Sequence, residues 1–218
     1  MKKQLNTEGY ALLKGQDIPD FSHLEAEIEK VKWIDDISGT TSQIPDFLKG
    51  IWEFETQNYR WLEQERIGLN EGLMQFYFPQ PIIQGCENIW KYIFPNLKFT
   101  SAAILLWNGV HNVTQSWHWD GYDRSTYGDY FLMCYFNNYS YDSSYGGELE
   151  IAYTKDHIKQ YDVEYEKEIK LETVRKIPPK HGNIIIIKTE FPFLVHRARA
   201  VTERNFNRYT LLNGIIIQ

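Results

Sequence analysis

The sequence predicts a mainly β fold of the α+β type, with helices packed outside a strand-rich core. Short β-branched and aromatic runs, separated by turn-forming residues, fill the chain from Leu97 onward, and Phe, Tyr and Trp make up 16% of all residues. Before that point, apolar residues more often recur with helical spacing. We therefore expect residues 1–218 to form one domain, in which residues 1–96 are a mostly helical support and residues 97–218 are the β core.

The support region is predicted to contain a short strand and then three helices. Residues 9–14 have the pattern of a strand, and Pro19 opens the first helix. The apolar stripe of that helix consists of Phe21, Leu24, Ile28 and Val31. A second helical stretch is predicted over residues 47–62. A third is predicted over residues 81–94, and Pro95 ends it.

The core is predicted to contain six strands, bounded by turn formers such as Asn108-Gly109 and Gly146-Gly147. The strands are residues 98–107, 129–136, 148–153, 183–188, 193–201 and 208–217. Their spacing favours a sandwich or a barrel with the helices packed outside. Residues 156–170 are charged and rich in tyrosine, and we interpret them as a solvent-exposed excursion.

Composition and charge exclude several classes of protein. The formal net charge of −6 argues against nucleic acid as a partner. Cys86 and Cys134 are too few for a disulfide framework, so we expect a reducing compartment and core positions for both. The longest aliphatic run is only Ile184 to Ile187, and the N-terminus lacks an apolar signal. We expect a cytoplasmic protein without membrane attachment, and the sequence makes no prediction of its oligomeric state.

One short motif in the second half has the composition of a metal site. His118 and Asp120 are two residues apart, and on an extended chain such residues project to the same side. His196, on a later apolar strand, is the candidate third ligand. Two imidazoles and one carboxylate suit Fe(II) and leave coordination positions open for substrates and O2. The same set can hold zinc, so a metal-dependent hydrolase or isomerase is an alternative.

The last predicted strand carries a cation and a hydroxyl. An iron oxygenase that takes electrons from a 2-oxoacid needs a cation for the far carboxylate of that acid. Arg208 opens this strand and can bind a carboxylate through two parallel charge-assisted hydrogen bonds. Thr210 lies on the same strand face and can add a hydroxyl. Arg197, Arg199 and Arg204 are competing cations.

Together these residues resemble the Fe(II)/2-oxoglutarate-dependent dioxygenase superfamily, and most of all its prolyl 4-hydroxylase-like branch. The resemblance covers roughly residues 97–217 and rests on the order and spacing of short motifs. They are His118-x-Asp120, Tyr135-Phe136-Asn137, Gly146-Gly147-Glu148-Leu149, His196-Arg197 and Arg208-Tyr209-Thr210. The resemblance implies a double-stranded β-helix, or jelly roll, with the N-terminal helices packed against one sheet.

The same resemblance implies a reaction and roles for the residues. His118, Asp120 and His196 would bind Fe(II), while Arg208 and Tyr135 would hold the C5 carboxylate of 2-oxoglutarate. The enzyme would use O2 and convert 2-oxoglutarate to succinate while it hydroxylates a substrate, with ascorbate as a candidate reductant. A peptide or protein substrate, at a prolyl or another amino-acid residue, is favoured, and a small metabolite comes next. Because Asp120 is present, the resemblance implies hydroxylation or another oxidation rather than halogenation.

Some features depart from the pattern of the branch or leave alternatives open. Trp107-Asn108-Gly109 stands where the branch usually has Tyr-x-Gly, so a phenol that helps to hold the 2-oxoacid is missing there, and Gln115 is a candidate replacement. Trp117 and Trp119 flank the first ligand, either as core residues or as walls of the substrate pocket. A non-enzymatic jelly roll that binds a metal, a carbohydrate or a partner protein is the further alternative.

Overall fold

The structure, a computed structural model, confirms a mainly β fold. It describes residues 1–15, 18, 21–28, 33–34, 59–62, 65–70, 73–77, 80–109, 114, 117–120, 124–136, 140–154, 171, 174–203 and 208–218. Within these ranges the chain forms twelve strands and four α-helices. None of these helices is long and apolar enough to cross a lipid bilayer.

Helices and strands are interleaved along the chain, and their bounds are as follows. The helices are α1 (Lys2–Glu8), α2 (Phe21–Ile28), α3 (Gln80–Ile93) and α4 (Arg124–Tyr127), with a 3₁₀ turn at Ser143–Tyr145. The strands are β1 (Tyr10–Lys14), β2 (Trp33–Ile34), β3 (Tyr59–Leu62), β4 (Glu65–Asn70), β5 (Leu73–Tyr77), β6 (Phe99–Gly109), β7 (Tyr130–Phe136), β8 (Leu149–Tyr153), β9 (Val174–Ile177), β10 (Asn183–Lys188), β11 (Leu194–Ala198) and β12 (Arg208–Ile217).

Most predicted elements are confirmed, and one is wrong. The six strands of the second half are β6, β7, β8, β10, β11 and β12, and the strand and helices expected near residues 9–14, 19–31 and 81–94 are β1, α2 and α3. The helix predicted over residues 47–62 is wrong where the structure describes it, because residues 59–62 form β3. Pairing of β3 with β6 outweighs the helical spacing of these residues. Phe47, Ile51, Phe54, Val31 and residues 156–170 lie outside the described residues.

Antiparallel sheets make up the β structure. The largest has seven strands in the order β1-β10-β7-β12-β6-β3-β2, and a second has three strands in the order β11-β8-β9. A separate hairpin pairs β4 with β5. Strand β9, which the sequence analysis did not predict, forms the edge of the three-stranded sheet by pairing with β8. The finer jelly-roll topology and the single-domain organisation stay predictions.

Both faces of the seven-stranded sheet are covered, and the alternation along β7 shows how. Leu132, Cys134 and Phe136 belong to a core cluster with residues of α2 and α3. The intervening Phe131, Met133 and Tyr135 belong to a second cluster with residues of the three-stranded sheet. The helices therefore pack against one face of the large sheet, as predicted, and the small sheet packs against the other. The four isoleucines of β10 divide between the same two clusters.

A buried asparagine fastens α3 to the large sheet. Asn213 lies in β12, where its register with β6 shifts. Its Oδ1 accepts a hydrogen bond of 2.7 Å from Trp90 Nε1, and its Nδ2 donates one of 2.8 Å to Ser101 Oγ. Both Trp90 and Asn213 are buried. The indole N–H would otherwise be a buried donor without an acceptor, so the pair fixes how the helix sits on the sheet.

We expect Asn213→Leu to lower the free energy of unfolding by about 2 kcal/mol, because it leaves the indole N–H of Trp90 buried without a partner. Chemical denaturation measures this loss. Gln84→Ala is the control, since the hydrogen bond from Gln84 to Asn88 on the same helix is exposed, and it should change stability by less than about 0.5 kcal/mol. Equal stability of Asn213→Leu and the wild type would contradict the assigned role.

Candidate metal centre

Two backbone hydrogen bonds bring the first and last predicted ligands together. His118 N donates to His196 O at 3.0 Å, and His196 N donates to His118 O at 3.0 Å. The two residues thus form an antiparallel bridge at the free edge of β11. Asp120 follows His118 by two residues, so an extended chain carries its carboxylate to the same side.

The three side chains converge as the sequence predicted. Their candidate ligand atoms all lie within 4.8 Å of one another. His196 Nε2 lies 3.2 Å from Asp120 Oδ2, and His118 Nε2 lies 4.0 Å from Asp120 Oδ1. Asp120 and His196 are buried, while the side chain of His118 keeps 13% of its surface exposed. The cluster is therefore enclosed except on the side of His118.

The electrostatics of Asp120 favour its ionised form. Burial alone would raise the pKa of this carboxyl, but the charge and hydrogen bond of His196 and the charge of His118 outweigh burial, so the pKa lies below its usual value. Asp120 Oδ1 is nevertheless buried without a hydrogen-bond partner in the described part of the chain. An ionised, buried oxygen with an unused lone pair costs free energy unless a cation binds it, so these donors fit a divalent metal.

An aromatic side chain of the large sheet lies beside the cluster, and one from α4 packs against it. The ring of Phe131 lies 5.6 Å from the ring of His196, and the ring of Tyr127 lies 5.8 Å from that of Phe131. Phe131 belongs to the cluster that the two sheets bury between them. The candidate metal centre therefore sits at the inner side of the small sheet, in apolar surroundings that strengthen electrostatic interactions.

Arg208 is a buried cation held by backbone carbonyls. Its Nη1 donates to Gly147 O at 3.1 Å and to Arg199 O at 3.0 Å. Its Nε is buried and has no hydrogen-bond partner among the described residues. No ion pair joins Arg208 to a carboxylate within those same residues. A buried guanidinium with an unused donor and no acidic partner suits the binding of an anion.

Thr210 and Tyr135 lie directly opposite each other on β12 and β7. Both are buried, and Thr210 shares a strand face with Arg208. Burial raises the pKa of Tyr135 to about 12, even though the charge of Arg208 acts in the opposite direction. Tyr135 is therefore a neutral phenol at physiological pH and can donate a hydrogen bond. The structure thus gathers Arg208, Thr210 and Tyr135 in one buried region.

Gly147 has a role that the sequence analysis missed. The glycine pair was predicted only as a turn, and both glycines do have positive φ angles. A Cβ on Gly147 would also lie 3.0 Å from Val201 Cγ2 and 3.4 Å from Arg208 Cδ. The carbonyl of Gly147 accepts from Arg208 as well. The glycine therefore leaves room for Val201 and lies in contact range of the arginine that its carbonyl helps to hold.

The remaining predicted candidates are separated from this region or are not described. Arg197 and Arg199 direct their guanidinium groups to Glu150 on the outer face of the small sheet. Trp117 packs with Val195 and Ala152 on that same face, which confirms core packing over a pocket wall. Arg204 and Gln115 lie outside the described residues, as does the side chain of Trp107.

Sequence comparisons find no relative of this chain, whereas structural comparison finds many. No protein-family model matches the sequence, and no curated protein is significantly similar to it. An oxidoreductase of the 2OG-Fe(II) oxygenase family from Burkholderia pseudomallei matches with a TM-score of 0.56 at 10% identity, over 98% of this chain and 87% of that chain. The chain has the fold of the 2OG-Fe(II) oxygenases.

Two prolyl hydroxylases are similar in fold to the same extent. The prolyl-4-hydroxylase of Pseudomonas putida has a TM-score of 0.54 at 13% identity, over 99% of this chain and 96% of that chain. A prolyl hydroxylase from Trichoplax adhaerens was solved in complex with a hypoxia inducible factor oxygen degradation domain peptide fragment. It has a TM-score of 0.53 at 13% identity, over 98% of this chain and 86% of that chain. The fold implied by the sequence resemblance therefore has structural support.

Proposed function

We propose that this protein is an Fe(II)- and 2-oxoglutarate-dependent dioxygenase that hydroxylates its substrate. The observation that carries the proposal is the enclosed cluster of His118, Asp120 and His196, in which one buried carboxylate oxygen has no hydrogen-bond partner among the described residues. Two imidazoles and one carboxylate are the donor set that binds Fe(II) and leaves one side of the metal open. Fe(II), 2-oxoglutarate and O2 together would supply the oxidation, with release of succinate and CO2.

The protein residues in this proposal hold the metal and fix its surroundings. His118 and His196 are joined by two backbone hydrogen bonds, and the centroids of their rings lie 4.3 Å apart. Asp120 supplies the negative charge, and its low pKa keeps the carboxylate ready for the metal. The partly exposed His118 marks the side from which solvent and substrate reach the centre.

In the proposal Arg208 binds the C5 carboxylate of 2-oxoglutarate. Arg208 is buried, and its Nε–H has no acceptor in the part of the chain that the structure describes. Both features support this role, because a carboxylate would neutralise the charge and accept a hydrogen bond from the Nε–H. Tyr135 as a neutral phenol and Thr210 as a hydroxyl would add hydrogen bonds beside it. Ascorbate stays a candidate reductant.

For the substrate we propose a peptide or protein, hydroxylated at a prolyl or another amino-acid residue, with a small metabolite as second candidate. Two of the fold neighbours are prolyl hydroxylases, and one of them was solved with a peptide fragment. Mass spectrometry of peptides and free amino acids incubated with the protein, Fe(II) and 2-oxoglutarate tests this. The substrate should gain one oxygen atom, and the product should form only when 2-oxoglutarate is present.

We expect metal-free protein, given Fe(II) and then 2-oxoglutarate without O2, to develop the weak visible charge-transfer band of a chelated 2-oxoacid. His196→Ala should abolish the band, because it removes a ligand from a three-residue set. His118→Ala and Asp120→Ala should also reduce 2-oxoglutarate turnover to background. His181→Ala is the control, since His181 pairs with Glu25 on α2 and is not part of the metal cluster.

Other outcomes would favour the alternatives. Tight zinc binding without any band would favour a hydrolase on this fold, and no metal binding would favour a non-enzymatic binding module. Wild-type turnover in His118→Ala or Asp120→Ala would show that the ligand assignment is wrong.

We expect Arg208→Ala to raise the 2-oxoglutarate concentration that gives half of the band by about 10- to 100-fold, because it removes charge-assisted hydrogen bonds, and to leave Fe(II) affinity unchanged. Gly147→Ala should raise this 2-oxoglutarate concentration less, since its methyl group presses on Val201 Cγ2 at 3.0 Å and touches Arg208 Cδ at 3.4 Å. Gly182→Ala is the matched control: φ is +78° at Gly182 and +79° at Gly147, but the nearest atom to a Cβ at Gly182 is 3.6 Å away.

Comparing Gly147→Ala with Gly182→Ala separates the effect of backbone strain from the effect of a methyl group next to Val201 and Arg208. Equal effects of the two glycine variants on the 2-oxoglutarate requirement would contradict a role of Gly147 through Arg208. An unchanged requirement in Arg208→Ala would contradict the role of Arg208 and leave Arg204 as the candidate, because the guanidinium of Arg199 is directed to Glu150 on the outer face.

A further inference from the structure

We propose that Arg197 is a positioning residue of the metal centre, which holds residues 117–120 against β11 from the outer face of the small sheet. This inference rests on the proposed function insofar as it concerns the metal. Arg197 does not belong to the metal cluster itself. It acts through Trp117, the residue before the first ligand, and it is itself held by Glu150.

Within the described residues, the backbone joins the first ligand to β11 at a single bridge. His118 joins β11 through an isolated bridge of two hydrogen bonds, not through a continuous ladder. A segment that meets a sheet edge at one such bridge gains protection from local opening through the contacts of its side chains. Asp120 lies beyond this bridge, so its position depends on the same segment. The outer side chains therefore decide how firmly the ligands are placed.

The outer side chains of this segment are two tryptophans that alternate with the two ligands. Trp117 is buried and packs with Ala152 and Val195, and Trp119 packs against the same cluster. Trp119 Nε1 also donates to Thr189 O at 2.9 Å. Because successive residues of an extended chain project to opposite sides, fixing the two indoles outward fixes His118 and Asp120 inward.

Arg197 covers the indole of Trp117. Its Cζ lies 4.4 Å from the centroid of that ring, which is the geometry of a cation–π contact. Arg197 is also the residue directly after the third ligand, His196, so one side chain joins the chain segments of the first and last ligands. A planar guanidinium can stack on a ring and donate to a carboxylate at the same time, which an ammonium cannot do equally well.

Glu150 keeps Arg197 in that position. It lies directly opposite Arg197 in the pairing of β8 with β11, and its Oε2 accepts from Arg197 Nε at 2.8 Å. Glu150 is buried, and its other oxygen lies 3.2 Å from Lys176 Nζ and 3.4 Å from Arg199 Nη1. A buried carboxylate among three cations is strongly attached, so it provides a fixed anchor for the guanidinium.

Arg197→Met tests the proposal, and Lys176→Met is its matched control. Both variants remove one positive charge from Glu150, but Lys176 reaches Glu150 from β9, on the side away from the ligands. Hydrogen exchange in the metal-free protein and anaerobic Fe(II) titration are measured on each. For Arg197→Met we expect the amide of His118 to exchange about tenfold faster and the Kd for Fe(II) to rise about 10- to 100-fold. Lys176→Met should leave both values at the wild-type level.

Arg197→Lys keeps the charge and gives a milder test should the methionine variant fail to fold. It should weaken Fe(II) binding less than Arg197→Met and more than Lys176→Met, because it loses the flat stacking surface. Wild-type exchange and affinity in both arginine variants would overturn the proposal, as would an equal loss in Lys176→Met.

The test distinguishes failure of the proposed function from failure of the positioning role of Arg197. If the wild type binds no Fe(II), the proposed function fails and the metal role of Arg197 with it. If the wild type binds Fe(II) but His118 exchange does not change in Arg197→Met, the positioning role alone is overturned.

Discussion

The rest of the site depends on the hydrogen-bonded contact between His118 and His196. These residues lie far apart in the sequence, yet each donates its backbone N–H to the carbonyl of the other at 3.0 Å. The contact adds an edge segment to β11 and places two imidazoles and the carboxylate of Asp120 within ligand distance of one another. Backbone geometry therefore creates the donor set, and side-chain packing on both sides of the small sheet keeps it in place.

The packing of the two sheets places the candidate donor set in surroundings of low polarity. Helices cover one face of the seven-stranded sheet, so its strands can carry apolar residues on that face and leave the other face to the small sheet. Between the sheets the dielectric constant is low, and charged groups interact strongly. Asp120 Oδ1 and Arg208 Nε are both buried there without partners in the described part of the chain. Buried polar atoms without partners destabilise a fold unless a ligand binds them. Asp120 Oδ1 is therefore a candidate contact for a cation, and Arg208 Nε for an anion.

The comparisons separate fold from function. Matches at 10% and 13% identity over nearly the whole chain support a shared fold of the 2OG-Fe(II) oxygenases and leave the reaction to be argued from the site. The candidate donor set arises from the pairing of His118 with His196 and from alternation along 117–120. On the outer face of the small sheet, behind the candidate ligands, Arg197 bonds to Glu150 and stacks on Trp117, which gives that face a charged and aromatic layer.

The sequence by itself determined the local features, because they depend on periodicity. Alternation predicted that His118 and Asp120 share one side, and the helical stripe predicted α3. Turn residues separated six of the strands that the structure contains. Only the tertiary structure decided what depends on long-range pairing. It formed β3 where helical spacing favoured a helix, and it set Gly147 against Arg208. It also placed Arg208 inside the protein and Arg197 and Arg199 with Glu150, because the face on which a strand residue lies depends on its partners in the sheet.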